Sequence, residues 1–566
     1  MSRLDWSGRK EGNSRAHWLG RRLPCRICSK PTFLCDDTGA PLPQGLRRKP
    51  TPDAGAPSMT TVAPLAELAG PVLRDLARHS VGDLDRWIEQ VTRLRGCAEP
   101  IRLTGSRLTV DARTGEILDA YSTATEPHGH LLIPCGNRRA SRCPACAGVY
   151  RADTFQLIRA GLAGGKGVPA GVRTHPRVLA TLTAPSFGPV HRGPGPDGTP
   201  VVCHPRRQGL ACWRRHEPDD PLIGQPLAPD SYDYVGQVIW NAFAPDLWRR
   251  FTIYLRRHLA AAAGMTQAAF NRQIRVSYAK VGEYQRRGVI HFHAVIRLDG
   301  RHPDGAVVPP PAWATVELLE RAIVAAARAV RLTPNGTEGL IPPGGLTWGE
   351  QVDVRPITSG ELDGGTRLTE QAVAGYIAKY ATKATEVSGA PGRRVTRADL
   401  ARLAAHGVPE HTARLIRTAW RLGNTVAYPQ LAGKRLRRWA HMLGFPGHFS
   451  TRSRAYSSTL TALRQARAAY RRARQAAALG YDPDTTLVIA HWRFAGQGFT
   501  PGESALAEAI AKEEARAPLI CPSPQERGPN SDRKEAAKWP TMSGTGSTAF
   551  LRRSRFSASA AAPCTS

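Results

Sequence analysis

The sequence predicts an α+β fold: an antiparallel sheet with helices on one face, a Cys-rich insertion suited to zinc, and a basic helical C-terminal region. Three observations carry this. The central third alternates in the order strand, helix, strand, strand, helix, strand, helix. Two of its strands, in IRVSYAKVGEYQRRGVIHFHAVIRL (274–298), join at QRRG, a hairpin signal. Beyond residue 390 the apolar spacing becomes helical and the polar residues are largely arginine.

Taken in order, residues 1–60 are rich in Arg, Gly and Pro without periodicity and read as a disordered leader, although CRICSKPTFLC places Cys25, Cys28 and Cys35 there. Residues 61–169 form an N-terminal region, helical in LAELAGPVLRDLARH and DLDRWIEQVTRL and ending in a cysteine cluster. Residues 170–388 make the central domain. It begins with the strand RVLATLTAPSF (177–187), then has a Cys/His insertion at about 190–232 and a long amphipathic helix from Tyr234 that Pro245 could break. The hairpin follows, then a helix over 314–332, a strand over 350–357 and a helix over 369–386. Residues 389–514 are basic and helical and suit DNA binding, and the Pro/Ser-rich tail 515–566 reads as disordered.

The 566-residue chain carries 78 Lys plus Arg against 46 Asp plus Glu, a formal net charge of +32. Arginine forks match phosphate oxygens, so the composition points to nucleic acid, double- or single-stranded. No apolar run is long enough to span a membrane, and the N-terminus has no secretory core. Eleven cysteines, an odd number partly spaced C-x-x-C, fit metal binding in a reducing cytoplasm better than disulfides. GLAGGKG (161–167) resembles a phosphate loop, but Ala160 replaces its first glycine and Gly167 its Ser or Thr, which leaves no evident ATPase.

Two histidines, His291 and His293, alternate in a strand and therefore share a face, roughly 6 to 7 Å apart at their bases. Chance alone supplies roughly 0.5 such pairs in a chain with 17 histidines, so their surroundings decide. With Arg286, Arg287 and Gly288 as the hairpin loop, Glu283 falls opposite His291 on that face; a loop one residue shorter would turn it to the other face. Two imidazoles and a carboxylate with open positions suit Mg²⁺ or Mn²⁺. In GYIAKYATKATE, helical spacing puts Tyr376, Lys379, Tyr380 and Lys383 on one stripe, where ammonium groups favour phenolate. The bland alternative is two packed phenols with lysines in solvent. In CGNRRASRCPAC, Cys135, Cys143 and Cys146 suit structural Zn²⁺, with a fourth ligand among His128, His130, Cys203, His204, Cys212 and His216.

VIHFHAVI resembles the His-hydrophobic-His motif of the HUH endonucleases, YIAKYATK resembles their two-tyrosine motif, and RVLATLTAPSFG resembles their strand ending in Thr-x-Thr. All three stand in the order that family uses. The runs CGNRRASRCPACAGVYRADT, YDYVGQVIWNAFAPDLWRRFT and HMLGFPGHFSTRSRAYSSTLTALR look more narrowly like rolling-circle replication initiators of actinomycete plasmids and integrative conjugative elements. The resemblance covers roughly residues 120–480 and implies an HUH endonuclease-like, ferredoxin-like core. It also implies a metal-dependent nickase and strand transferase. His291 and His293, with Glu283 or another acid, would hold the ion; Tyr376 or Tyr380 would attack; Lys379 and Lys383 would steady charge. Plasmid origin DNA, a host helicase and a DNA polymerase would be its partners. Similar initiators often carry a C-x-x-C where this chain has Ala228 and Ser231, a departure that puts a second zinc site around Cys203, Cys212 and His216 in doubt. A relaxase or transposase would share the chemistry, though relaxases more often place the tyrosine before the histidines. A non-catalytic DNA-binding protein using DLARLAAHGVPEHTARLIRTAW as a helix-turn-helix would have no use for both residue sets.

Overall fold

The computed structural model describes residues 81–516 except 196–197, 359–367 and 384, together with the backbone of three short antiparallel strands, His17–Pro24, Pro31–Cys35 and Pro41–Leu42. Most of the leader, including Cys25 and Cys28, and nearly all of the tail lie outside these residues.

The N-terminal region contains helix α1 (Val81–Arg93) and strands β1 (Ile101–Asp111), β2 (Ile117–Ser122) and β3 (Leu131–Ile133). Helix α2 (Pro144–Ala163) follows and leads into β4 (Arg177–Leu182). The insertion holds a two-stranded hairpin, β5 (Val202–His204) and β6 (Cys212–Arg215). Helix α3 (Tyr234–Ala262) runs unbroken through Pro245, and the short α4 (Gln267–Gln273) opens into β7 (Ile274–Tyr284) and β8 (Ile290–Arg301). Next come α5 (Val316–Ala329), β9 (Val352–Thr358), β10 (Leu368–Thr369) and α6 (Glu370–Ala381). The C-terminal region contributes α7 (Glu410–Leu422), β11 (Ser450–Arg452), α8 (Leu460–Leu479), β12 (Thr486–Gln497) and α9 (Pro501–Arg516). It is therefore not purely helical: β12 pairs antiparallel with β1, far away in sequence.

The central sheet has the order β10-β9-β4-β8-β7-β11, antiparallel except for the short β9–β10 pair. Helices were expected on one face of it; they cover both. Val178, Ala180, Leu182, Phe292, Ala294 and Ile296 pack under α3 and α5. Leu179, Ala279, Val281, Val295 and Ile357 alternate with them and pack under α2 and α6. This is why β8 is buried on both faces from Ile290 to Gly300, including the face that carries His291, His293, Arg297 and Asp299. Helix α2 buries a broad face that includes Cys146, Asp153, Leu157, Ile158 and Leu162, and leaves Val149, Arg151 and Arg159 exposed on the other side.

The phosphate-loop look-alike is the end of α2. A Cβ on Gly161 would lie 2.2 Å from the Tyr456 ring, and Gly164 takes φ 83° where the helix stops. Two buried guanidinium groups satisfy the last carbonyls: Arg177 donates to Leu162 O and Arg297 to Gly161 O. Each is paired, Arg177 with Glu370 at 2.8 Å and Arg297 with Asp299 at 2.6 Å, and Asp299 also accepts from Ser277 at 2.6 Å and meets His175 at 2.8 Å. This charge network fixes α2 and the start of α6 against the sheet.

Candidate active site and metal centres

The hairpin register is the one that brings Glu283 into play. Glu283 pairs with His291, Gln285 N–H donates to Val289 O at 2.9 Å, and Gly288 takes φ 75° as the left-handed residue of a three-residue loop. Three side chains not anticipated from sequence pin that loop. Gln237 donates to Arg287 O at 2.8 Å, His411 Nε2–H donates to the same oxygen at 2.9 Å, and Asn241 donates to Gly288 O at 3.0 Å while accepting from Ile290 N–H at 3.1 Å.

On the α6 side of the sheet, Glu283 Oε2 lies 3.1 Å from His291 Nε2 and 3.0 Å from His293 Nε2. Donor atoms this close together could share one metal ion. Thr181 Oγ1, on β4, holds His293 Nδ1 at 3.0 Å and so turns Nε2 toward the carboxylate. Burial pushes the Glu283 carboxyl up, but the hydrogen bonds and charge of the two imidazoles outweigh it and hold it at about 2. Burial depresses His293 to about 4, which keeps it neutral and fit to bind a cation.

The tyrosine stripe faces this cluster. Thr369 caps α6, accepting from Ala372 N–H at 3.2 Å, and Val373, Ala374, Ile377, Ala378 and Ala381 bury its other side. Tyr376 Oη comes to 3.2 Å from His293 Nε2. The Tyr380 ring stacks on His293 with centroids 5.6 Å apart, and the two phenol rings meet edge to face at 4.7 Å. Lys383 Nζ lies 4.8 Å and Lys379 Nζ 5.8 Å from the Tyr380 ring centre. The lysines do not lower the phenols as expected. Burial, reinforced by Glu283, pushes Tyr380 up to about 12 and Tyr376 well above the ordinary phenol range.

Cys135, Cys143 and Cys146 come together as expected, but the fourth donor is Cys97, and none of the six residues considered for that place joins them. The four sulfurs lie within 4.8 Å of one another and could hold a metal ion. Backbone N–H groups already point at them: Ala98 and Cys146 to Cys143 Sγ at 3.4 and 3.5 Å, Cys135 to Cys97 Sγ at 3.3 Å, and Asn137 to Cys135 Sγ at 3.4 Å. The knuckle between these cysteines reaches the tyrosine helix. Arg138 donates to Ala381 O at 3.1 Å and Lys383 O at 3.0 Å, capping α6, and lies over the Phe449 ring at 4.5 Å. A separate group forms from His191, Cys203, Cys212 and His216, although Ala228 and Ser231 break the expected C-x-x-C.

Among the described residues no helix is long and apolar enough to cross a membrane. The family model described as replication initiator protein, pSAM2 (RepSA) matches residues 83–512. A replication initiator protein of Streptomyces ambofaciens is 52% identical over 447 residues, 78% of this chain and 93% of the relative. No solved structure gives a significant match. The family match runs from α1 into α9 and so takes in the hairpin, the tyrosine helix and both Cys-containing groups: the chain belongs to the RepSA family of replication initiators.

Proposed function

We propose that this initiator is an HUH-type nickase of a plasmid or integrative element, starting rolling-circle replication by cutting one strand of origin DNA with a tyrosine. The observation that carries the reading is the approach of Tyr376 Oη to within 3.2 Å of His293 Nε2, with Tyr380 stacked on the same imidazole. Packing alone does not require two phenols to meet a buried carboxylate–imidazole cluster.

Glu283, His291 and His293 would hold a Mg²⁺ or Mn²⁺ ion. Bound there, the ion would polarise the scissile phosphate and offset the Glu283 charge that keeps the phenols protonated. Tyr376 or Tyr380 attacks the phosphorus: an Oη–P bond forms, the P–O3′ bond breaks, the phenol loses its proton and the departing 3′ oxygen gains one. The product is a 5′-phosphotyrosine and a free 3′-hydroxyl from which a host DNA polymerase extends. Lys379 is exposed and Lys383 half-buried beside Tyr380, within reach of phosphate oxygens. Because the linkage conserves bond energy, rejoining requires no ATP, and unwinding falls to a host helicase.

For DNA contact, α8 buries only Leu463 and Ala476 and exposes Arg464, Arg471, Arg472 and Arg474. The Cys97, Cys135, Cys143 and Cys146 group is read as structural zinc, its thiolates fitted by four N–H donors. The working compartment is the cytoplasm, where both the thiols and the DNA are found. The test is to incubate the protein and Mg²⁺ or Mn²⁺ with supercoiled plasmid carrying the DNA upstream of its own gene. Nicked circles with protein on a 5′ end are expected; intact circles, or nicks with no protein attached, reject the tyrosine mechanism.

A further inference from the structure

We infer that His191, Cys203, Cys212 and His216 bind a second zinc ion, and that this ion fastens the insertion to the tip of the β7–β8 hairpin. In tetrahedral coordination with bonds of about 2.0 Å to nitrogen and 2.3 Å to sulfur, nitrogens lie about 3.3 Å apart and a nitrogen and a sulfur about 3.5 Å apart. His191 Nδ1 and His216 Nε2 are 3.2 Å apart, Cys212 Sγ and His216 Nε2 3.5 Å, and Cys203 Sγ and His191 Nδ1 3.7 Å. Three of the six ligand edges of a zinc tetrahedron are thus near their expected lengths.

The surroundings match. His216 Nδ1–H donates to Asp220 Oδ2 at 2.6 Å, which turns Nε2 inward, the arrangement that orients a metal-binding imidazole. Arg192 N–H donates to Cys203 Sγ at 3.3 Å, and His204 Nδ1 lies 3.1 Å from the same sulfur, as suits a thiolate. The hairpin itself has little apolar packing to hold it. Strands β5 and β6 have three and four residues, and no residue of either belongs to a hydrophobic cluster among the described residues. A pair so short is marginal alone, and Cys203, Cys212 and His216 are what it buries.

From the ligands, a chain of contacts leads to the hairpin. His191 N–H donates to Gln225 O and Gly224 N–H to His191 O, both at 2.8 Å. Gly224, at φ 88°, abuts the loop: a Cβ there would lie 2.7 Å from Arg286 Cβ and 2.9 Å from Arg287 N. Arg286 Nη2 donates to Pro218 O at 2.7 Å. The insertion thus rests on the loop whose length sets Glu283 against His291.

Elemental analysis and zinc-edge X-ray absorption on the full-length wild-type protein decide the first half without any variant. About two zinc ions per chain are expected, with an average shell of about three sulfurs and one nitrogen. One zinc with an all-sulfur shell, or no zinc, overturns the inference; one zinc with equal sulfur and nitrogen upholds it and removes the Cys97 group instead. Cys203→Ser should lose one equivalent and leave an all-sulfur shell. Asp220→Asn, at a positioning residue, should let a chelator compete for one of the two ions about 10- to 100-fold more effectively. For the second half, amide exchange at residues 285–289 should accelerate in Cys203→Ser, and unchanged exchange there would refute the fastening.

Discussion

The Glu283, His291 and His293 cluster and the Cys97, Cys135, Cys143 and Cys146 cluster are both metal-ligand groups, yet different parts of the chain carry them. The first hangs from the hairpin end of two long paired strands and is held in register by Gln237, Asn241 and His411 whether or not an ion is present. The second hangs from the loop after α1, the loop after β3 and the first turn of α2. Ligands on rigid strands need no ion for their placement and can leave coordination sites for a substrate; ligands on loops need the ion to define the loops. Losing the first ion should therefore cost chemistry, and losing the second should cost fold.

The largest expected effect is at the phenols. Combined Tyr376→Phe and Tyr380→Phe should lower nicking by at least about a thousandfold, while either change alone leaves measurable activity. Sequencing the phosphotyrosine peptide in wild type and in each single variant checks this; labelling at one tyrosine only, with its loss alone ending nicking, would contradict shared use. Next is His291→Ala, expected to lower nicking at least about a hundredfold while duplex binding and the thermal midpoint hold, because affinity comes from the basic surface. A midpoint that falls with activity would erase the contrast between the clusters. Cys143→Ser should do the reverse, lowering the midpoint by at least about 5 °C in a thermal scan and leaving nicking measurable in the cold.

The smallest effect is one of pH. Burial depresses His293 and His411 from 6.5 to about 4 in the folded protein. As pH falls from 6.5 toward 4 the unfolded chain takes up these protons first, so stability is lost across that window, on the order of 1–3 kcal/mol for each imidazole. Denaturant titrations of metal-free protein at pH 7 and pH 5 should show the loss, and His411→Gln should shrink it. A flat profile would place both rings in less protected surroundings.

What could be read in advance was what local periodicity encodes. QRRG marked the hairpin but left its register open between two loop lengths, the period of two put His291 and His293 on one face, and the helical period lined up Tyr376 and Tyr380. Other features escaped for physical reasons. Cys97 stands alone in LRGCAEP, 38 residues before Cys135, with no partner at a ligand-like spacing. Helix α2 has no clean polar stripe, because its buried face is broad and includes Asp153. IHFHAVIRLD alternates apolar with mostly polar residues as a one-sided strand does, so nothing in it betrayed the second helical layer that buries His291, His293, Arg297 and Asp299. His191 joins its cluster, and Thr181 its histidine, through contacts across the fold that no spacing rule reaches.

The three-residue loop at the hairpin tip bears on how this molecule can vary. Arg286 donates from its guanidinium to Pro218 O, and Arg287 donates to Gln285 Oε1 at 2.8 Å and to Pro185 O at 3.2 Å, so a substitution at either position loses those contacts but leaves the pairing of the strands as it is. One residue added or removed is a different kind of change: a hairpin could still close, but a shifted strand would carry Glu283 to the opposite face, under α3. Within this stretch selection can tolerate new letters far more readily than a new count.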